Sequence, residues 1–255
     1  MSNFPVQHTL GFGEEKALST RKGSFLGQQA FTQDGRTFRY ALNGATALAA
    51  GVTVQSAAQS GTSQAADAIV ASLTNGVGAT IATGVTTIAL TMTTAFAENT
   101  FQDGYLYVKV GPGAGAFVIK QHTSGSSVSA LNVELYPGDK IDRVAHTTAT
   151  RYALQRNLYS SVVVSAGGLT GAIVGVAHTS VPASNFFWLQ TGGPAPTNMA
   201  AASSAPGNRV ISGTTAGVAA GQTTAADQDV LPHIGHTIHI AATADIIDLI
   251  KLEID

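Results

Sequence analysis

The chain of 255 residues has no cysteine. Disulfide staples, thiolate zinc sites and cysteine nucleophiles are therefore excluded. Charge is scarce as well. Asp, Glu, Lys and Arg make up 11% of the sequence, less than half of the roughly one quarter usual in globular proteins. The formal net charge is −2, so no global basic field exists to grip nucleic acid, and no direct nucleic-acid partner is expected. No apolar run reaches the ~18 residues of a membrane-spanning helix, and no N-x-S/T acceptor occurs. The opening "MSNFPVQHTLGFGEEKALS" lacks a basic stretch followed by an apolar one, so Sec secretion is not expected.

What is present is 44% hydrophobic. The polar surface must then come from Thr, Ser, Gln, Asn and backbone amides. Such a composition suits a β-rich subunit largely covered by other subunits, since a free cytosolic enzyme normally carries more charge. The length allows one large β domain or two smaller ones.

Residues 1–44 differ from the rest. "LSTRKGSFLGQQAFTQDGRTFRYALNGAT" interleaves Arg21, Lys22, Arg36 and Arg39 with Phe25, Phe31, Phe38 and Tyr40. Repeated glycines break any helical run. The expectation is an extended arm with one hairpin at Asp34-Gly35, separable from a β core over 45–255, itself divisible at 158/159. Within 45–95, only "SQAADAIVASL" reads as helical, with Ala66, Ile69, Val70 and Leu73 on one face. "DGYLYVKVGPGAGAFVIKQHT" predicts a hairpin, because Leu106, Val108 and Val110 alternate with Tyr105, Tyr107 and Lys109. "SALNVELYPGDKI" places Leu131, Val133 and Leu135 on one strand face. Short β segments follow at roughly 8–12 residue spacing through "SSVVVSAGG", "GAIVGVAHT", "NFFWLQTGG", "NRVISG", "GHTIHIAA" and "DLIKLEID". The fold class is all-β: a sandwich- or barrel-like core with an extended N-terminal arm.

Charge is unevenly placed. Asp227 to Asp255 holds six acids and one base, Lys251. A basic arm and an acidic C-terminal segment suggest an electrostatic match. The expectation is that the arm docks on a neighbouring subunit or another acidic surface, so that deleting 1–40 would abolish assembly and leave the core folded.

Catalytic chemistry finds no anchor, and no enzymatic activity or cofactor is expected. His233, His236 and His239 in "HIGHTIH" invite a zinc reading, but strand alternation turns His236 away from the other two, so solvent-facing or interface histidines, with no metal, are the expectation. If these histidines met across a symmetry axis, acid would loosen an assembly. "GPGAGAF" (Gly111–Phe117) lacks the Lys-Ser/Thr ending and the helix of a phosphate loop, and reads as a hairpin turn. Ser165 stands in no G-x-S-x-G elbow. Asp139 and Asp142 lie in a Pro-Gly turn beside Lys140 and Arg143, where mutual screening accounts for them. Arginine with aromatics also suits single-stranded nucleic acid, but a protein interface fits the arm better.

The order of segments carries a resemblance. The arm "KGSFLGQQAFTQDGRTFRYALNGATALAAGVTVQ" leads into "FQDGYLYVKVGPGAGAFVIKQHT". There follow "GAIVGVAHTSVPASNFFWLQTGGPAP", "APGNRVISGTTAGV" and "LPHIGHTIHIAATADIIDLIKLEID". Together they resemble a group of tailed-bacteriophage virion structural proteins. The resemblance implies a capsid decoration, or cement, protein on the head surface, with the major capsid protein as partner and a homotrimeric state. It implies no catalytic residues. The alternatives are a tail- or fibre-associated adhesin and, far behind, a small β-fold hydrolase.

"NFFWLQTGGPAP" (Asn185–Pro196) holds the only tryptophan. Strand alternation puts Phe186 and Trp188 on one face, and Phe187 and Leu189 on the other. Both faces are apolar, so the strand is expected to be covered on two sides, ending at Gly192-Gly193-Pro194. One face would pack the subunit core and the other a partner subunit. With Phe186 and Trp188, the residues Arg21, Lys22, Phe25, Phe31, Arg36, Phe38, Arg39 and Tyr40 form the candidate subunit and capsid interface.

Overall fold

The computed structural model describes residues 8–58, 68–69, 81–90, 95–111, 115–125, 131–141, 144–146, 150–168, 170–200, 206–222, 231–238 and 246–255. Two compact units divide the chain: Met1–Ala58 with Leu158–Asp255, and Gln59–Asn157. The second unit is an insertion into the first. The first unit is left after Ala58 and resumed at Leu158.

In chain order the first unit supplies β1 (His8–Leu10), β2 (Gln29–Thr32), β3 (Thr37–Leu42) and β4 (Thr53–Gln55). The insertion supplies β5 (Ala68–Ile69), β6 (Thr87–Leu90), β7 (Tyr105–Val110), β8 (Ala116–His122), β9 (Leu131–Leu135) and β10 (Arg151–Gln155). The first unit resumes with β11 (Val163–Val164), β12 (Ile173–Val176), β13 (Phe186–Met199), β14 (Arg209–Ser212), β15 (Ala219–Gly221), β16 (His233–Thr237) and β17 (Ile246–Glu253). A single 3₁₀ turn, Glu14–Lys16, interrupts the N-terminal segment. The described residues are all-β, as the alternation of apolar and polar positions indicates.

The inserted unit is a six-stranded sheet in the order β5-β10-β7-β8-β9-β6. The β7–β8 hairpin forms as expected, pairing Tyr105 with Val118 and Tyr107 with Ala116. Leu106, Phe117, Ile119, Leu131, Val133 and Leu135 face one core, while Tyr105 and Tyr107 remain exposed. The helix expected around Ile69 does not form where the structure describes it. Ala68–Ile69 is strand, antiparallel to β10, and the remainder of that segment lies outside the described residues. The middle of the Gly-rich hairpin turn, Asp142, Arg143 and His239 lie outside them too.

In the first unit β13 runs for 14 residues and changes its neighbour part-way along. Phe186 to Gly192 pair with β3; Gly192 to Met199 pair with β17. The strand does not end at Gly192-Gly193-Pro194 as expected. A register shift between Gln190 and Gly192 and a left-handed Gly193 (φ 79) redirect it. Any Cβ at Gly193 would lie 3.1 Å from the Arg36 Cα. Pro194 has no N–H to give a ladder, and the Gln190 amide donates to the Pro194 carbonyl (2.7 Å) and to that of Gly192 (3.2 Å). Beyond the bend, β13, β15, β14, β16 and β17 close into a five-stranded barrel. Its interior holds Ala195, Met199, Val210, Ala219, Ile234, Ile250 and Leu252.

Residues 8–42 are not an extended arm. The sheet continues outward from β13 through β3, β2 and β1, and the Asp34-Gly35 hairpin joins β2 to β3 in antiparallel register. The reason is apolar burial: Phe38 and Tyr40 are withdrawn from water in the chain's own core, which a free arm would leave exposed. Deleting 1–40 would remove β1, β2 and most of β3 and is not a neutral truncation.

Candidate interaction surface

The two faces of β13 are covered as alternation requires, but the chain itself covers both. Phe187 and Leu189 pack with Ala41, Val54, Val162 and Val174. On the opposite face, cross-strand register sets Phe186 beside Leu42 and Trp188 beside Tyr40. These four join Leu10, Leu26, Ala30 and Phe38 in one apolar cluster. Tyr40 stacks on Phe186 (centroids 5.7 Å, planes 6° apart) and meets Trp188 edge-on at 5.1 Å. His8 also stacks on Trp188, at 5.4 Å. Such ring pairs add to the energy of simple area burial. The expectation that a partner subunit covers this face is corrected: β1 to β3 cover it.

The segment between the 3₁₀ turn and β2 closes over the rings. Ser19 bridges Phe186 through two backbone hydrogen bonds, Phe186 N–H to Ser19 O (2.7 Å) and Ser19 N–H to Phe186 O (3.0 Å). The Gly23 N–H donates to the Tyr40 hydroxyl at 2.9 Å. A groove of about 360 Å³ remains, lined by Leu10, Leu18, Ser19, Tyr40, Phe186 and Trp188 among others. Leu18 in this lining is 40% exposed, and the same N-terminal segment exposes Phe12 (72%) and Phe25 (38%).

Arg36 and Arg39 are paired within the chain. Arg36 pairs with Asp34 (2.8 Å) and with Glu15 (3.5 Å), lies over the Phe38 ring (5.5 Å) and contacts His178 Nε2 at 3.4 Å. Burial pushes the Glu15 carboxyl up. Backbone N–H groups of Glu15 and Gly13 and the Arg36 guanidinium outweigh that and hold it below the ordinary carboxylate range. His178 is lowered, first by burial and then by the Arg36 charge. Arg39 reaches the carboxylate of Asp255 and also donates to the Gly27 carbonyl (2.8 Å). The match between N-terminal bases and C-terminal acids is thus made inside one chain, through Arg39 and Asp255.

Of the candidate interface residues, the fold brings Phe38, Tyr40, Phe186 and Trp188 together and buries them almost fully, apart from the half-buried Phe186. Phe31 and Lys22 are half-buried, and Arg21 and Phe25 are exposed. Sequence reasoning missed His8, Glu15, Leu18 and His178. The signal for Glu15 was its position two residues after Gly13, whose N–H it accepts at 2.7 Å.

Two further sequence candidates resolve here. Asp139 accepts the Val118 N–H and so has a structural role. Ser165 is buried against Thr53 (2.6 Å) immediately after β11. His233 and His236, expected on opposite faces, share one. The register shift opposite Val210/Ile211 inserts Ile234 as an extra residue, which reverses the alternation. Their rings meet at 5.0 Å.

No protein-family model, curated protein or solved structure matches the chain.

Proposed function

We propose that this chain is a tailed-bacteriophage virion structural protein. It acts as a decoration protein that binds the outer surface of the head and stabilises contacts between capsomers. It is made in the host cytoplasm and resides on the capsid surface, with the major capsid protein and further copies of itself, as a homotrimer, for partners. The supporting observation is the Trp188 groove, lined in part by the exposed Leu18, in an N-terminal segment that also exposes Phe12 and Phe25 and whose Glu15 is paired with Arg36. Exposed apolar side chains of this size suit a surface that is covered in an assembly. Each contact is modest, and the shell gains by repetition over many copies. The order of segments that resembles virion proteins supports the same reading.

The test is binding to purified heads that lack the protein. Wild-type chain is expected to bind stoichiometrically and raise the temperature at which heads break. Leu18→Glu and Phe25→Glu, which alter exposed positions and spare the core, are expected to weaken binding about tenfold or more, as loss of an interface anchor does. Attachment to host cells in few copies per virion, with no affinity for heads, would favour the adhesin and defeat the proposal.

A further inference from the structure

We propose that His233, His236 and Glu253 form a zinc site spanning the neighbouring strands β16 and β17 of the barrel. Among the described residues these three bring one ligand atom each to within 4.8 Å of one another. Their convergence is built by the backbone. The extra residue Ile234 turns both imidazoles to one side, and Gly235 draws β16 close against β17. A Cβ at Gly235 would lie 2.0 Å from the Lys251 carbonyl oxygen, so no other residue permits this approach. Gly235 stands opposite Leu252 in the ladder, which sets Glu253 beside the histidines.

The donors are oriented before any ion arrives. The Gly235 carbonyl can only accept, so His233 Nε2 carries the proton at 2.8 Å and Nδ1 keeps its lone pair. A backbone carbonyl on the second ring nitrogen is a common partner of metal-bound imidazoles. His236 Nδ1 and Glu253 Oε2 are 2.9 Å apart, close to the roughly 3.0–3.5 Å between donors that share an ion at about 2.1 Å. Lys251 Nζ takes the other carboxylate oxygen, Oε1, at 2.7 Å and holds Glu253 ionised, with a further contribution from His236. Two imidazoles and one carboxylate suit zinc among the available divalent ions, with the fourth position left to water. An ion there would join two strands of the closed barrel, and its binding energy would add to folding stability.

The test uses tag-free full-length protein, stripped with EDTA, and zinc chloride alone. Calorimetry is expected to give one zinc per chain, and the melting midpoint should rise with zinc and return on adding EDTA. Cobalt in place of zinc should give the visible absorption of a tetrahedral site. Glu253→Gln keeps a hydrogen-bond acceptor for His236 and should leave the metal-free midpoint near that of wild type while cutting zinc affinity by more than about tenfold. His236→Gln should do the same to affinity. Absence of zinc binding by the wild-type chain overturns the proposal. So does wild-type affinity in Glu253→Gln, or loss of binding in His239→Asn with retention in Glu253→Gln.

Discussion

Arg39 and Asp255 stand 216 positions apart and meet in a two-pronged ion pair, Nε to Oδ2 at 2.7 Å and Nη2 to Oδ1 at 3.1 Å. Asp255 is thereby fastened to β3. Parallel hydrogen bonds of this kind need the planar guanidinium, which lysine cannot supply. Arg39→Ala also releases the Gly27 carbonyl and is expected to cost about 1–2 kcal/mol. Asp255→Asn should cost less, and a double-mutant cycle in urea should return a coupling of about 1 kcal/mol. Strictly additive losses would show that the pair contributes nothing.

Trp188 offers its own readout, being the only tryptophan. It is 6% exposed and enclosed by His8, Tyr40 and Phe186. Its emission is expected to be blue-shifted in the folded chain and to move red on unfolding. Trp188→Ala should destabilise the first unit by about 3–5 kcal/mol, measured by circular dichroism during denaturant unfolding. A loss below about 1 kcal/mol would mean that the N-terminal strands do not pack on this ring.

Acid should weaken the fold through three histidines, two buried and one, His178, half-buried. His122, His146 and His178 are all held below the ordinary value of 6.5, each first by burial. In the folded chain His122 Nε2 accepts the Phe101 N–H at 2.9 Å while Nδ1 donates to the Thr123 carbonyl at 2.7 Å. Protonating Nε2 would break the first bond. As pH falls below about 6.5 the unfolded chain takes up protons that the folded chain refuses, so stability declines with pH. Glu15 acts in the same direction lower down: below its ordinary 4.5 the unfolded chain takes up a proton that the folded chain resists, and the stability it contributes is lost as pH falls through its lowered folded value. Urea midpoints at pH 7.5 and 5.5 check this. Equal midpoints would show that the histidines titrate freely in the folded state.

Segments whose period is strict were legible in the sequence. Leu106 and Val108 alternate with Tyr105 and Tyr107, and the hairpin at Tyr105–His122 stands as read. The two-sided burial of Phe187, Trp188 and Leu189 was legible for the same reason. Long-range pairing was not. Nothing local to "RTFRYAL" tells whether Phe38 and Tyr40 meet another subunit or the chain's own Trp188, about 150 positions on. Bulges were the second blind spot. One extra residue, Ile234, carries His233 and His236 to a common face against the alternation that separates them. Gly235 inside a strand was the available hint, since an interior glycine often marks such a place. The Gly192-Gly193-Pro194 bend misled for a related reason: turn residues can redirect a strand without ending it.

The insertion begins and ends beside one pair of neighbouring strands, β4 and β11, where Gln55 faces Val163. The chain thus leaves its frame and comes back through a single doorway. Whatever is spliced into that doorway need not disturb the threading of the barrel, provided its own ends lie close together. The strand order of the first unit thus does not depend on what joins Ala58 to Leu158.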